Sequence, residues 1–213
     1  MEKSYKYLGH FFLLIIPLIY LAFHKRYLSK FPDFDQGFDN FIHFHAFMAS
    51  LWVLILIVQP FLVVRKKLKW HRAVGKFSYV AFPLLILSFV PGIIKLVRAE
   101  EYIFIFYPLS DCLVLILLYS LAMYYKKKPQ KHMRYIIGSS LPLLGPTIGR
   151  IGPIRMGLSE VESQTLQYAI TFAILIGVIL WDLTNKRNFR PYLVAVGAYI
   201  IHAIVFYVLF VGY

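Results

Sequence analysis

The sequence predicts an all-α protein, an integral membrane bundle of seven transmembrane helices with its amino terminus cytoplasmic and its carboxy terminus external. Three observations predict it. The 213 residues are 60% hydrophobic and 15% charged, against about 45–50% and about 25% in soluble domains. Apolar runs recur at the length of about 20 residues that spans a bilayer. The basic residues then fall unevenly on the two sides that those runs define. Mean hydropathy is +0.67, and the 18% aromatic content suits side chains placed at two membrane interfaces.

The expected spans are 7–24, 41–64, 73–97, 102–125, 133–152, 165–183 and 191–212, forming a single seven-helix transmembrane domain over residues 1–213. The first run is followed by "HKRYLSK" rather than a small-residue cleavage site, so it reads as a retained helix. The fifth is the least apolar. Gly138, Pro142, Gly145, Pro146 and Gly149 mark it as a kinked helix packed against neighbours, which is where such residues are tolerated. No connection is long enough for a separate domain. The longest, 25–40, carries Asp33, Asp35 and Asp39 and reads as a polar connector. The single cysteine, Cys112, lies in an apolar run and reads as a buried thiol.

Of the 23 basic residues, sixteen fall on one side: Lys3 and Lys6, six within 65–76, five within 126–134, and Lys186, Arg187 and Arg190. The positive-inside rule makes that side cytoplasmic, which agrees with an odd number of spans. The net charge of +13 is therefore expected to set topology and to attract anionic lipid headgroups on the cytoplasmic side. No nucleic-acid partner is implied, and the pattern names no protein partner. A bacterial inner membrane is the expected location.

Polar groups in the spans single out candidate site residues, since such groups usually face a bundle interior. In "FIHFHAFMASLW", His45, Met48, Trp52 and Gln59 share a helix face. His43 lies about 200° from His45, so one metal would not be chelated by both if the helix is already formed. His45 is expected to point inward and His43 to the external boundary. The two are nevertheless the candidate metal ligands at the external mouth. The fifth span aligns His132, Tyr135, Ser139, Pro142, Pro146 and Arg150 on one face. Asp111 and His202 are single ionisable residues deep in their spans. Arg150 is the expected counter-ion of Asp111, with an imidazole as the other expected partner. His71 and His132 both open helices on the cytoplasmic side, opposite His45. Histidines at two depths suit two haems, so His45, His71, His132 and His202 are the candidate cofactor ligands.

Residues 39–153, with "HAFMASLWVLILIVQPFLV", "WHRAVGKFSYV" and "HMRYIIGSSLPLLGPTIGRI", resemble an uncharacterised family of bacterial multipass membrane proteins. "WHRAVGK" resembles the His-Arg-x-x-Gly helix starts of the di-haem cytochrome b superfamily. That resemblance implies a haem ligand at His71, while the regular pairs of in-helix histidines of those cytochromes are missing. Nucleotide-binding, serine-hydrolase and zinc-protease motifs are absent. The functional expectations are three. The first is a redox or metal-binding protein of cytochrome b type, with haem b or a transition metal. The second is a small proton-coupled carrier using Asp111, Arg150 and His202. The third is a non-catalytic membrane scaffold or assembly partner.

Overall fold

A computed structural model describes residues 5–34 and 39–212, and all regular structure among them is helical. Lys3 and Asp35 lie outside the described residues. The chain forms two units, 1–101 and 102–213. The first holds α1 (Leu8–Leu13), α2 (Ile15–Phe23), α3 (Asn40–Val64), α4 (Leu68–Leu87) and α5 (Val90–Arg98). The second holds α6 (Phe106–Tyr124), α7 (Pro129–Ser140), α8 (Leu144–Ile151), α9 (Glu160–Thr184) and α10 (Arg190–Phe210).

Five stretches are long and apolar enough to cross a membrane: Asn40–Val64, Leu68–Arg98, Tyr102–Tyr124, Glu160–Thr184 and Arg190–Phe210. The other two expected spans are built from shorter pieces. Span 7–24 is α1 and α2, interrupted at Leu14. Span 133–152 is α7, a 3-10 turn over Leu141–Leu143, α8, and a π turn over Gly152–Met156. The cause of the second interruption is chemical. Pro142, Pro146 and Pro153 each remove a backbone donor, and each ring crowds the carbonyl four residues earlier.

Local chemistry sets the ends of the long helices. The Asp39 carboxylate accepts the Ile42 backbone N–H at 2.9 Å and caps α3. Ser159 and Glu162 close a reciprocal capping box on α9, with Ser159 N–H donating to Glu162 Oε2 at 2.8 Å and Glu162 N–H to Ser159 Oγ at 3.2 Å. Gly157 reaches φ +68°, a left-handed turn that L side chains rarely adopt, and redirects the chain into that cap. α4 begins at Leu68, a turn earlier than expected, so His71 lies inside the helix.

In the second unit α6 packs on α7 and α10, while α9 packs on α8 and α10. The buried stripe of α10 is Tyr192, Ala195, Tyr199, His202 and Phe206, stepping by 3 and 4. The buried stripe of α9 has the same periodicity and unusual chemistry: Ser163, Gln164, Gln167, Tyr168 and Thr171 precede Leu175 and Asp182. A helix whose outward side is apolar and whose inward side carries amides and hydroxyls encloses a polar interior. Phe106, Tyr168 and Phe206 form the aromatic wall beside it.

Candidate polar site of the carboxy-terminal unit

His202 sits at the centre of that interior, and both its ring nitrogens are engaged. Ser110 Oγ donates to the Phe106 carbonyl at 2.5 Å, which commits the Ser110 proton. His202 Nε2, 2.9 Å from Ser110 Oγ, is therefore the donor in that contact. Nδ1 is left to accept from the Tyr168 hydroxyl at 2.7 Å. The result is a directional chain, Tyr168 O–H to Nδ1, then Nε2–H to Ser110, then Ser110 O–H to the backbone.

Asp111 lies beside this chain. Its Oδ1 is 3.7 Å from His202 Nε2, too long for a hydrogen bond. That oxygen is buried and has no hydrogen-bond partner, although the side chain as a whole is 17% exposed. The other oxygen rests on α8: a Cβ built on Gly145 would meet Asp111 Oδ2 at 2.8 Å. Glycine at 145 is thus what lets the helix backbone approach the carboxyl. The basic group beside Asp111 is His202 rather than Arg150. Arg150 ends α8, where Nη1 donates to the Pro146 carbonyl at 2.8 Å. The expectation of an Asp111–Arg150 bridge therefore gives way to an Asp111–imidazole pair, because Gly145 is the α8 residue that faces Asp111 and Arg150, five residues on, lies about 140° around the same helix.

The other residues expected at sites are dispersed. His45 Nδ1 donates to Ser88 Oγ at 2.9 Å, since Ser88 donates its own proton to the Leu85 carbonyl at 2.5 Å. His43 Nδ1 meets the Tyr27 hydroxyl at 2.7 Å, beside the Phe34 ring at 4.5 Å. Burial pushes the Tyr27 phenol up, so the phenol keeps its proton and donates. His43 and His45 thus take different partners on different segments. Gln59 Nε2 donates to the backbone carbonyl of His71 at 3.2 Å and ties α3 to the first turn of α4. His132 Nδ1 donates to the Ala122 carbonyl at 2.8 Å and holds the α6–α7 turn. Ser139 is fully buried and donates to the Ile136 carbonyl at 2.9 Å. Among the described residues, no group of three or more His, Cys, Asp or Glu side chains gathers as a metal site would require. Iron ligation through His202 would first have to break one of its two hydroxyl contacts.

The sequence reading missed two features. Arg134, counted there among the basic residues that set topology, forms a fully buried fork with Asp182. Nε donates to Oδ2 at 2.5 Å and Nη2 to Oδ1 at 2.8 Å, while Nη1 donates to the Gln130 carbonyl at 2.9 Å. It also passed over Gln167, Tyr168, Thr171 and Tyr199. The steps of 3 and 4 through Gln164, Gln167 or Tyr168, and Thr171 were the available signal.

No family model, curated protein or solved structure matches this chain.

Proposed function

We propose that the protein spans a bacterial plasma membrane and that its second unit is a proton-binding site, Asp111 with His202, which couples protons to the movement of a small polar solute. The observation that carries this reading is the Asp111–His202 pair: an acid and a buried base 3.7 Å apart, with a buried acceptor atom left over. A saturated pair holds structure; an unsaturated one can take up or release a proton and rearrange. Five apolar helices support membrane insertion, and the excess of lysine and arginine at 65–76, 126–134 and 186–190 supports a cytoplasmic amino terminus. Arg150, beyond Gly145 on α8, is suited to attract an anionic group towards the pair.

Infrared titration of the purified protein in nanodiscs tests the site. A carboxylic C=O stretch should appear and vanish with pH in the parent protein. It should be absent in Asp111→Asn and displaced in His202→Phe. An unchanged titration in Asp111→Asn would sink the reading. In the same preparations, reporter fusions after Lys67 and Lys128 should read cytoplasmic and a fusion after Glu162 external.

A haem reading has one observation in its favour. The His132 Nδ1–H contact to a carbonyl is the kind that fixes an imidazole tautomer for metal ligation. Purified protein without a haem absorption band would remove it.

A further inference from the structure

A buried serine or threonine in a helix commonly satisfies its hydroxyl by donating to the carbonyl three or four residues earlier. Among the described residues seven are buried, and six behave this way: Ser78, Ser88, Ser139, Ser140, Thr147 and Ser163. Thr171 is the exception. It is fully buried, and its Oγ1 has no partner. Gln167, one turn earlier on α9, has neither its amide nitrogen nor its oxygen bonded, and the Tyr199 hydroxyl on α10 is also without a partner. Gln167 and Tyr199 are exposed by 1% and 0%.

Two of these residues share one level of the fold, Thr171 and Tyr199, with Gln167 a turn nearer the Tyr168–His202 contact. Thr165 meets Tyr207 at 2.8 Å and Tyr168 meets His202 at 2.7 Å, so α9 and α10 run antiparallel. Continuing that register brings Thr171 level with Tyr199, ~4.5 Å along the axis from the Tyr168–His202 contact at 1.5 Å per residue. A further turn along, Leu175 lies level with Ala195. A Cβ on Gly138 would stand 3.4 Å from both Ala195 Cβ and Leu118 Cδ1, so a dry layer closes the interior there. Four orphaned polar atoms above a dry floor, beside a carboxyl with a spare acceptor, match what buried water requires: two to four polar partners each.

We propose that Gln167, Thr171 and Tyr199 bind a short file of water molecules that extends the Asp111–His202 pair one turn deeper, down to the layer of Leu118, Leu175 and Ala195. The file relays protons: a proton leaving the Asp111 carboxyl breaks one O–H bond and forms another on the adjacent water. That water passes on one of its own protons, and the carboxylate left behind takes a proton back from the file, so the exchange returns acid and water to their starting charges. The relay rests on the proton-binding reading above, whereas the water itself does not.

Hydroxyl-radical footprinting by microsecond X-ray pulses, on the full chain in nanodiscs, tests the water directly, because internal water labels the side chains it touches. Tyr199 should be modified at least about fivefold faster than Phe206 and Phe12, which are as buried but apolar. Thr171→Val keeps the side-chain shape and should bring Tyr199 towards the Phe206 rate. Tyr199 labelled no faster than Phe206 in the parent protein would overturn the proposal. The relay has its own readout. Thr171→Val with Tyr199→Phe should slow proton exchange at the Asp111 carboxyl band about tenfold, equivalent to ~1.4 kcal/mol of barrier, without abolishing the band. Unchanged exchange would overturn the relay. Fast Tyr199 labelling combined with an Asp111→Asn titration identical to the parent would overturn the proton reading and leave the water site standing.

Discussion

The second unit holds two inward-facing pairs of acid and base, and they are built oppositely. Arg134 and Asp182 are both fully buried, joined by two parallel hydrogen bonds, with a third from Arg134 to a carbonyl. Asp111 and His202 stand 3.7 Å apart, and the imidazole spends its nitrogens on hydroxyls while Asp111 Oδ1 bonds to nothing. The first pair also answers a local problem. Asp182 sits in the last turn of α9, where the helix dipole disfavours an anion, so its cation must come from another helix. The guanidinium fork supplies it with fixed geometry and a permanent charge. An imidazole beside a carboxyl can instead change its charge. The contrast teaches that burial of an ionisable residue does not by itself mark function. Unused hydrogen-bonding capacity separates a lock from a site.

Breaking the lock should give the largest effect on stability. Arg134→Met leaves Asp182 buried without its fork and should cost about 3–5 kcal/mol. Thermal unfolding in detergent should show the double variant Arg134→Met with Asp182→Leu to be more stable than Arg134→Met alone. A double variant as unstable as the single would mean the fork's value lies in packing rather than charge compensation.

An intermediate effect is expected where the site is most saturated. Tyr168→Phe removes the donor to His202 Nδ1 and leaves a buried acceptor, at a cost of about 1–3 kcal/mol. Gly145→Ala should fall in the same range, because its methyl would crowd Asp111 Oδ2, and overpacking costs about 1–3 kcal/mol. Gly145→Ala should also displace the Asp111 carboxyl band, whereas a substitution at Gly197, with nothing within 4 Å of its Cβ position, should not.

The smallest stability change belongs to the site carboxyl itself. Asp111→Asn keeps the shape and removes no hydrogen bond, since Oδ1 has none. Unfolding should therefore shift by less than about 1 kcal/mol, while the pH-dependent carboxyl band disappears. A loss as large as that of Arg134→Met would erase the distinction between the two pairs.

The sequence by itself located the five long helices, three of them nearly to their ends, while the expected 73–97 and 165–183 start five residues later than Leu68–Arg98 and Glu160–Thr184. The expected 41–64, 102–125 and 191–212 differ from Asn40–Val64, Tyr102–Tyr124 and Arg190–Phe210 by a few residues at most. Apolar content and helix phase are local quantities, and a run of about 20 apolar residues has few other solutions. The same reading placed His45 and His43 on different sides of α3, and Asp111 and His202 deep in theirs. It did not show that Pro142 and Pro146 would divide the fifth span rather than bend it, because a proline kink and a break differ only in whether neighbours take up the freed carbonyls. Only the tertiary structure decided the pairings. Arg134 with Asp182 and His202 with Ser110 and Tyr168 join helices far apart in the chain, so they depend on which turns of packed helices meet. That register is set by packing across the unit, through contacts such as Gly138 on Leu118 and Ala195 and Gly145 on Asp111, and no residue's own neighbours in sequence contain it.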